Sequence, residues 1–156
     1  MRLDSGDRLA LRGLVDAYAV AVDRRDVPGF LALFTPDATL ATFEPDGRRR
    51  SAHHGHEELS AIPPALARYE RTLHLVSTHH VEAAVDDEPD SDEATGVAYC
   101  EAHHHRPSDP AGGEQAAETD KVLFIRYVDH YARRGPGWLI RAREVHVIWS
   151  EERPLL

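Results

Sequence analysis

A change of hydrophobic period near residue 73 constrains this chain more than any other feature. Before it, Leu11, Leu14, Val15, Tyr18 and Val22 recur at the i, i+3, i+4, i+7 and i+11 spacing of an amphipathic helix. After it, apolar and polar residues alternate over long stretches, which is the period of strands. Helices first and strands later predict an α+β fold, not alternating βαβ units.

The first helix is expected between Asp4 and Asp23, capped by Asp4 or Ser5 and broken by Asp26-Val-Pro-Gly. Pro28 suits the first turn of a short second helix that ends before "TPDA". "TLATF" (39–43) reads as a strand and "DGRRR" as a turn, while "HEELSAIPPALARY" (56–69) reads as helical with a break at Pro63-Pro64. "LHLVSTHHVEAAV" and "ATGVAYCEAHHH" are expected strands, separated by a solvated acidic turn at 86–93. A long Pro/Gly-rich loop follows, "RPSDPAGGEQAAETD". "KVLFIRYVDHYARR" and "WLIRAREVHVIWS" then make a hairpin about Gly135-Pro-Gly137. No repeat or linker divides the chain, so residues 1–156 are expected to form one domain. A sheet curled round the helices would leave a concave, mostly apolar pocket between them, the ordinary place for a small ligand.

Composition narrows the function classes. The net charge is −9 and the acidic residues are spread along the chain, which argues against nucleic acid or anionic lipid as a partner. No apolar run approaches the roughly 20 residues of a membrane span, and the N-terminus lacks a signal-peptide pattern, so a cytoplasmic protein is expected. Cys100, the single cysteine, is expected to be a small buried hydrophobe. Trp138 and Trp149 are expected in the core and as an end plug.

Eleven histidines include the runs "HHGH" at 53–56 and "HHH" at 103–105. Three consecutive histidines on a strand cannot converge on one metal, and zinc sites space their ligands otherwise. No metal site is therefore expected. Alternation sends His104 one way, beside Cys100 and Ala102, and His103 and His105 the other. Those small neighbours are expected to leave room for a ligand. By the same rule His74 shares a face with Val76, Thr78 and His80, opposite Leu75, Ser77, His79 and Val81. The residues alone leave His79 and His80 as rivals to His74.

Four stretches in order, "LVDAYAVAVDRRDVPGFLALFTPDATL", "LHLVSTHHVE", "AYCEAHH" and "YVDHYARRGPGWLIRAREV", resemble the SnoaL-like group of the nuclear transport factor 2-like superfamily. The resemblance runs from about Leu9 to Trp149. It implies a cone-shaped α+β barrel, a curved mixed sheet wrapped around N-terminal helices. Superfamily members such as scytalone dehydratase and hexachlorocyclohexane dehydrochlorinase imply a pocket Asp–His dyad that abstracts a proton before a leaving group departs; polyketide cyclases are further relatives. Carried over by position, the dyad aspartate falls on Asp23 and its histidine on His74, with Thr78 as the small polar residue four places on. A second pocket histidine falls on His104. Tyr18 and Arg143 occupy two assisting positions, although Tyr18 stands where the dehydrochlorinase has lysine. Phe43 stands near a tyrosine of the dehydratase.

The resulting expectation is a cofactor-independent lyase, isomerase or cyclase acting on a small apolar or aromatic molecule. Asp23, His74 and His104 would be catalytic, and Tyr18, Phe43, Thr78, Tyr99, Tyr127 and Arg143 would bind substrate. Its rivals are a non-catalytic binding or assembly module on the same fold, or the small subunit of a ring-hydroxylating dioxygenase. Neither hairpin strand has a clean polar face, so a homodimer through the outer sheet is expected.

Overall fold

A computed structural model describes residues 2–84, 92–107 and 118–155. The expected acidic turn and the long Pro/Gly-rich loop fall mainly outside them. Helix α1 (Ser5–Arg24) starts at Asp4, whose carboxylate accepts the Asp7 amide (2.8 Å) while Asp7 accepts the Asp4 amide in return. Its stripe of Leu11, Val15, Tyr18 and Val22 is buried, and Arg25, at φ 56°, ends it in the left-handed conformation. Asp26 then caps the short α2 (Val27–Leu31).

Strand β1 (Phe34–Phe43) begins five residues before the expected "TLATF", and includes "TPDA". The Leu33 carbonyl accepts the Ile140 amide (2.8 Å), and Phe34 pairs with Ile140, so tertiary pairing overrides the turn-like composition. The turn after β1 is shorter than expected. Gly47, at φ 81°, lets the chain reverse, and Arg49–His54 form strand β2 against β1. Helices α3 (Gly55–Leu59) and α4 (Ile62–Ala65) and a 3-10 turn (Leu66–Arg68) follow, broken near the two prolines as expected.

Strands β3 (Arg71–Ala83), β4 (Glu93–Arg106), β5 (Thr119–Arg134) and β6 (Gly137–Pro154) form an antiparallel meander. The sheet order is β2-β1-β6-β5-β4-β3, and only the β1–β6 pairing is parallel. This is the expected curved mixed sheet packed on the N-terminal helices. It is open, not a closed barrel, with β2 and β3 at its edges. α1 lies across the concave side against β3 and β6. No helix among the described residues is long and apolar enough to cross a membrane.

Register shifts set which side chains face inward. On β3 the pairing jumps from Val76↔Cys100 to His79↔Ala98, one residue more on β3 than on β4. The bulge frees carbonyls, and Arg12 of α1 donates to those of Ser77 (2.7 Å) and Val76 (3.2 Å). Beyond it the parity reverses: His79 and Val81 turn inward, while Thr78 and His80 turn out. Strict alternation predicts the opposite. A second shift, where Phe124↔Trp149 follows Ile125↔Val147, puts Trp149 on the outer face. Trp149 is 52% exposed and stacked on Phe124 at 4.3 Å, so it is not an end plug. Trp138 is in the core, its Nε1 donating to Asp7 (3.0 Å).

The concave face of β4 is made of small residues, Ala94, Gly96, Ala98, Cys100 and Ala102, all buried. The space they leave beside them is occupied by the protein's own rings. A Cβ on Gly96 would stand 2.9 Å from the Tyr131 ring, and Tyr18 packs against Phe30, Phe34 and Tyr127 at centroid distances of 5.5, 6.3 and 5.6 Å.

Candidate active site

The end of α1 meets the start of β3 at Asp23. Its carboxylate accepts three hydrogen bonds, from the His74 ring Nδ1 (2.7 Å), the His74 amide (2.9 Å) and the Thr72 hydroxyl (2.8 Å). Burial pushes the Asp23 carboxyl up, but the bonds from His74 and Thr72 outweigh it and hold the group below the usual carboxylate range. An ionised Asp23 fixes the His74 tautomer with its proton on Nδ1, so Nε2 keeps its lone pair. That nitrogen has no hydrogen-bond partner among the described residues.

Arg25 braces this corner. Its guanidinium donates to the Thr72 hydroxyl (2.7 Å) and to the carbonyls of Leu66 (3.1 Å) and Tyr69 (3.4 Å). The left-handed residue that terminates α1 thereby ties the helix end to β3 and to the 3-10 turn. Sequence reasoning missed both Thr72 and Arg25. Thr72 could have been found as the residue two before His74 on the same strand face.

His104 stands beside the dyad, its ring edge-on to His74 at 5.7 Å and tilted on Tyr69 at 4.7 Å. Its Nδ1 lies 3.3 Å from the Lys121 carbonyl, which can only accept, so Nδ1 carries the proton and Nε2 is an acceptor. Burial, with the nearby His74 adding to it, pushes the His104 imidazole down to about 4. It is a neutral group at neutral pH.

Arg143 and Asp129 face each other across β5 and β6 and are wholly buried. The guanidinium binds the carboxylate through Nε and Nη2, both at 2.7 Å, and Tyr131 donates to the same carboxylate at 2.7 Å. His79 Nε2 lies 3.1 Å from the Tyr131 oxygen, whose proton is already committed, so Nε2–H donates. Arg143 also lies over the rings of Tyr18 (4.1 Å) and Tyr127 (4.4 Å). Its Nη1 is buried with no acceptor among the described residues. Asp129 went unnoticed in the sequence, where a lone carboxylate between apolar strand residues of "YVDHY" was the available signal. Tyr131 is expected from the sequence as a strand tyrosine able to hydrogen-bond a ligand, and its hydroxyl is spent on Asp129 instead.

The structure therefore gathers Asp23, His74 and His104 at one corner, and Tyr18, Tyr127 and Arg143 in the adjoining core. Three expected binding residues lie elsewhere. Thr78 is turned outward by the bulge. Tyr99, 42% exposed, lines an outer groove with Phe124 and Trp149. Phe43 stacks on His146 at 4.7 Å, and His146 alternates with the buried Val145 and Val147 and so faces outward. Cys100 is buried and its thiol pushed up to about 11 by that burial, as befits a small hydrophobe and not a nucleophile. Among the described residues no three His, Cys, Asp or Glu side chains are placed to hold a metal ion.

The SnoaL-like domain family matches residues 4–144. No curated protein matches the chain. Among solved structures, it is similar to a candidate aromatic ring hydroxylase from Novosphingobium aromaticivorans, with TM-score 0.74 and 22% identity over 99% of this chain and 96% of that one. A candidate scytalone dehydratase from the same organism has TM-score 0.74 and 16% identity over 97% and 90% of the two chains. Hexachlorocyclohexane dehydrochlorinase LinA-type3 from Novosphingobium barchaimii has TM-score 0.72 and 16% identity over 96% and 90%. At these identities the likeness is one of fold.

Proposed function

The chain belongs to the SnoaL-like family, and from that premise we propose that it is a lyase- or isomerase-type enzyme that removes a proton from carbon in a small organic substrate. The observation that carries this reading is the Asp23–His74 pair, 2.7 Å apart, with Nε2 of the imidazole uncommitted. His74 Nε2 takes the proton. The electron pair of the broken C–H bond forms a new double bond. It either expels a leaving group, which departs with the electron pair of its own bond, or moves along a conjugated system to a new carbon, which takes a proton back from the imidazolium. Asp23 holds the ring in place and stabilises the imidazolium that forms. His104, neutral and with Nδ1–H committed, accepts a substrate hydroxyl on Nε2. Arg143, its charge already met by Asp129, contributes to the shape and field of the interior.

Removing a positioned general base typically costs 10²- to 10⁴-fold in rate. Asp23→Asn and His74→Ala, assayed on a panel of hydroxylated polycyclic compounds, should each lose turnover on that scale; wild-type rates in both would dispose of the dyad. A base that must be unprotonated also requires the rate to rise with pH. A rate that does not fall on acidification would exclude an imidazole base.

One observation favours a second reading, a binding module without chemistry. The depth of the concave face is filled by Tyr18, Phe30, Phe34 and Tyr127, all nearly inaccessible. A tight ligand that is recovered unchanged, with equal affinity for the His74→Ala variant, would decide for it.

A further inference from the structure

The approach to His104 carries a charge opposite to that of the molecule. A cleft of about 450 Å3 opens beside this imidazole, and Arg50, Arg68, Arg106 and Lys121 line it together with Tyr69. Leu66 and Leu123 supply apolar wall, and none of its lining residues is acidic. Four cations thus surround one opening in a chain of net charge −9 whose only lysine is Lys121. The neighbouring histidines of the same strand have the reverse environment. His103 is bracketed by Asp120 (2.6 Å) and Glu101 (3.3 Å), and His105 by Glu118 (3.1 Å) and Glu70 (3.5 Å). Carboxylates thus flank His103 and His105, whereas cations line the opening at His104.

The cations are incompletely paired. Arg50 binds Glu44, while Arg106 reaches Glu152 only at 3.9 Å. Arg68 and Lys121 form no ion pair among the described residues. Lys121 stands directly opposite His104 in the β4–β5 register. Arg68 and Arg106 lie over the Tyr69 ring at 5.0 and 5.4 Å, and that ring touches His104. Exposed cations held around an apolar opening repel one another unless an anion joins them, and such an arrangement raises the local concentration of anionic ligands.

We infer that the substrate carries an oxyanion head group, a carboxylate or a phosphate ester, which binds Lys121 and Arg68 at the mouth while its carbon skeleton lies against Tyr69, Leu123 and His104. Lys121 and Arg68 are then specificity-determining residues. This deepens the reading of the dyad as a base and rests on it only for what happens after binding.

Calorimetric titration of the full chain tests it with three probes that share a skeleton: 1-hydroxy-2-naphthoate, its methyl ester, and 1-naphthyl phosphate. One of the two anions should bind at least tenfold more tightly than the ester, and which one it is distinguishes carboxylate from phosphate. The preference should fall to less than threefold in Lys121→Met/Arg68→Gln, and Lys121→Arg should keep it. Raising the salt from about 0.05 to 0.5 M should weaken the anion and leave the ester unchanged, a readout that needs no variant. Equal or tighter binding of the ester, no binding of any probe, or an anion preference that survives the double variant overturns the inference. The preference must also persist in Asp23→Asn and His74→Ala. If those variants turn over normally while the preference stands, the base assignment alone has failed. If they are inactive while the ester binds as well as the anions, the charge inference alone has failed.

Discussion

At the scale of single residues, the two buried polar centres make different demands. Asp129 and Arg143 are fully buried and neutralise each other's charge, so truncating one strands the other. Asp129→Ala should cost about 3–5 kcal/mol, whereas the paired replacement Asp129→Leu/Arg143→Met should recover most of it; urea denaturation measures both. A double variant no more stable than the single one would show that the pair does not act as a unit. Thr72→Val keeps the shape of the side chain but removes a donor to Asp23 and an acceptor for Arg25. It should cost about 1 kcal/mol in denaturation and lower kcat more than it raises KM, because it loosens the base and not the substrate. The imidazoles give a pH signature. Burial holds His104 down to about 4 and lowers His79 as well. Between about 6.5 and 4 the unfolded chain therefore binds protons that the folded chain refuses. Stability is complete above that window and falls as pH drops through it, with His104 contributing about 3 kcal/mol. Thermal melts at pH 7 and 4.5 should show the decline, and His104→Leu should flatten it.

At the scale of elements, the β3 bulge is where sequence and structure part. Arg12→Ala removes the donors that meet its carbonyls. Faster amide exchange confined to residues 76–80, with about 1 kcal/mol lost overall, is the expected result; unchanged exchange would mean that solvent serves the bulge equally well. The helix cap at Asp4, the break at Asp26 and the four meander strands were legible in the sequence, because each is written in local chemistry or in a long periodic run. The pair Asp23 and His74 was legible through resemblance and through the placement of His74 before the bulge. Thr78 could not be placed rightly on parity, because one extra residue in β3 reverses everything beyond it. Tyr99 shares the outer parity of His103, so strand alternation already sets it apart from His104 and only the expectation of a binding role put it in the pocket. β2 was invisible because "RRSAHH" has little apolar content and earns its place by pairing with β1.

At the scale of the whole molecule, the convex face carries Leu73, Leu75, Tyr99, Ile148 and Trp149, all well exposed. We propose that these exposed aromatic and aliphatic side chains meet a second copy of the chain. The expected outcome in sedimentation is a species near twice 17.4 kDa at micromolar concentration, reduced to the single mass by Trp149→Glu. A wild-type monomer would refute the pairing without touching the dyad. The parallel pairing of β1 with β6 has its own consequence. Leu40 meets Arg143 roughly a hundred positions later, and the strand that completes the shelter of α1 and β1 is the last one to be made. During synthesis the N-terminal third therefore leaves the ribosome with its apolar stripe and a strand edge unpartnered, at a translation rate of about 5–20 residues per second. Several seconds therefore separate the appearance of the β1 edge from that of the strand that covers it.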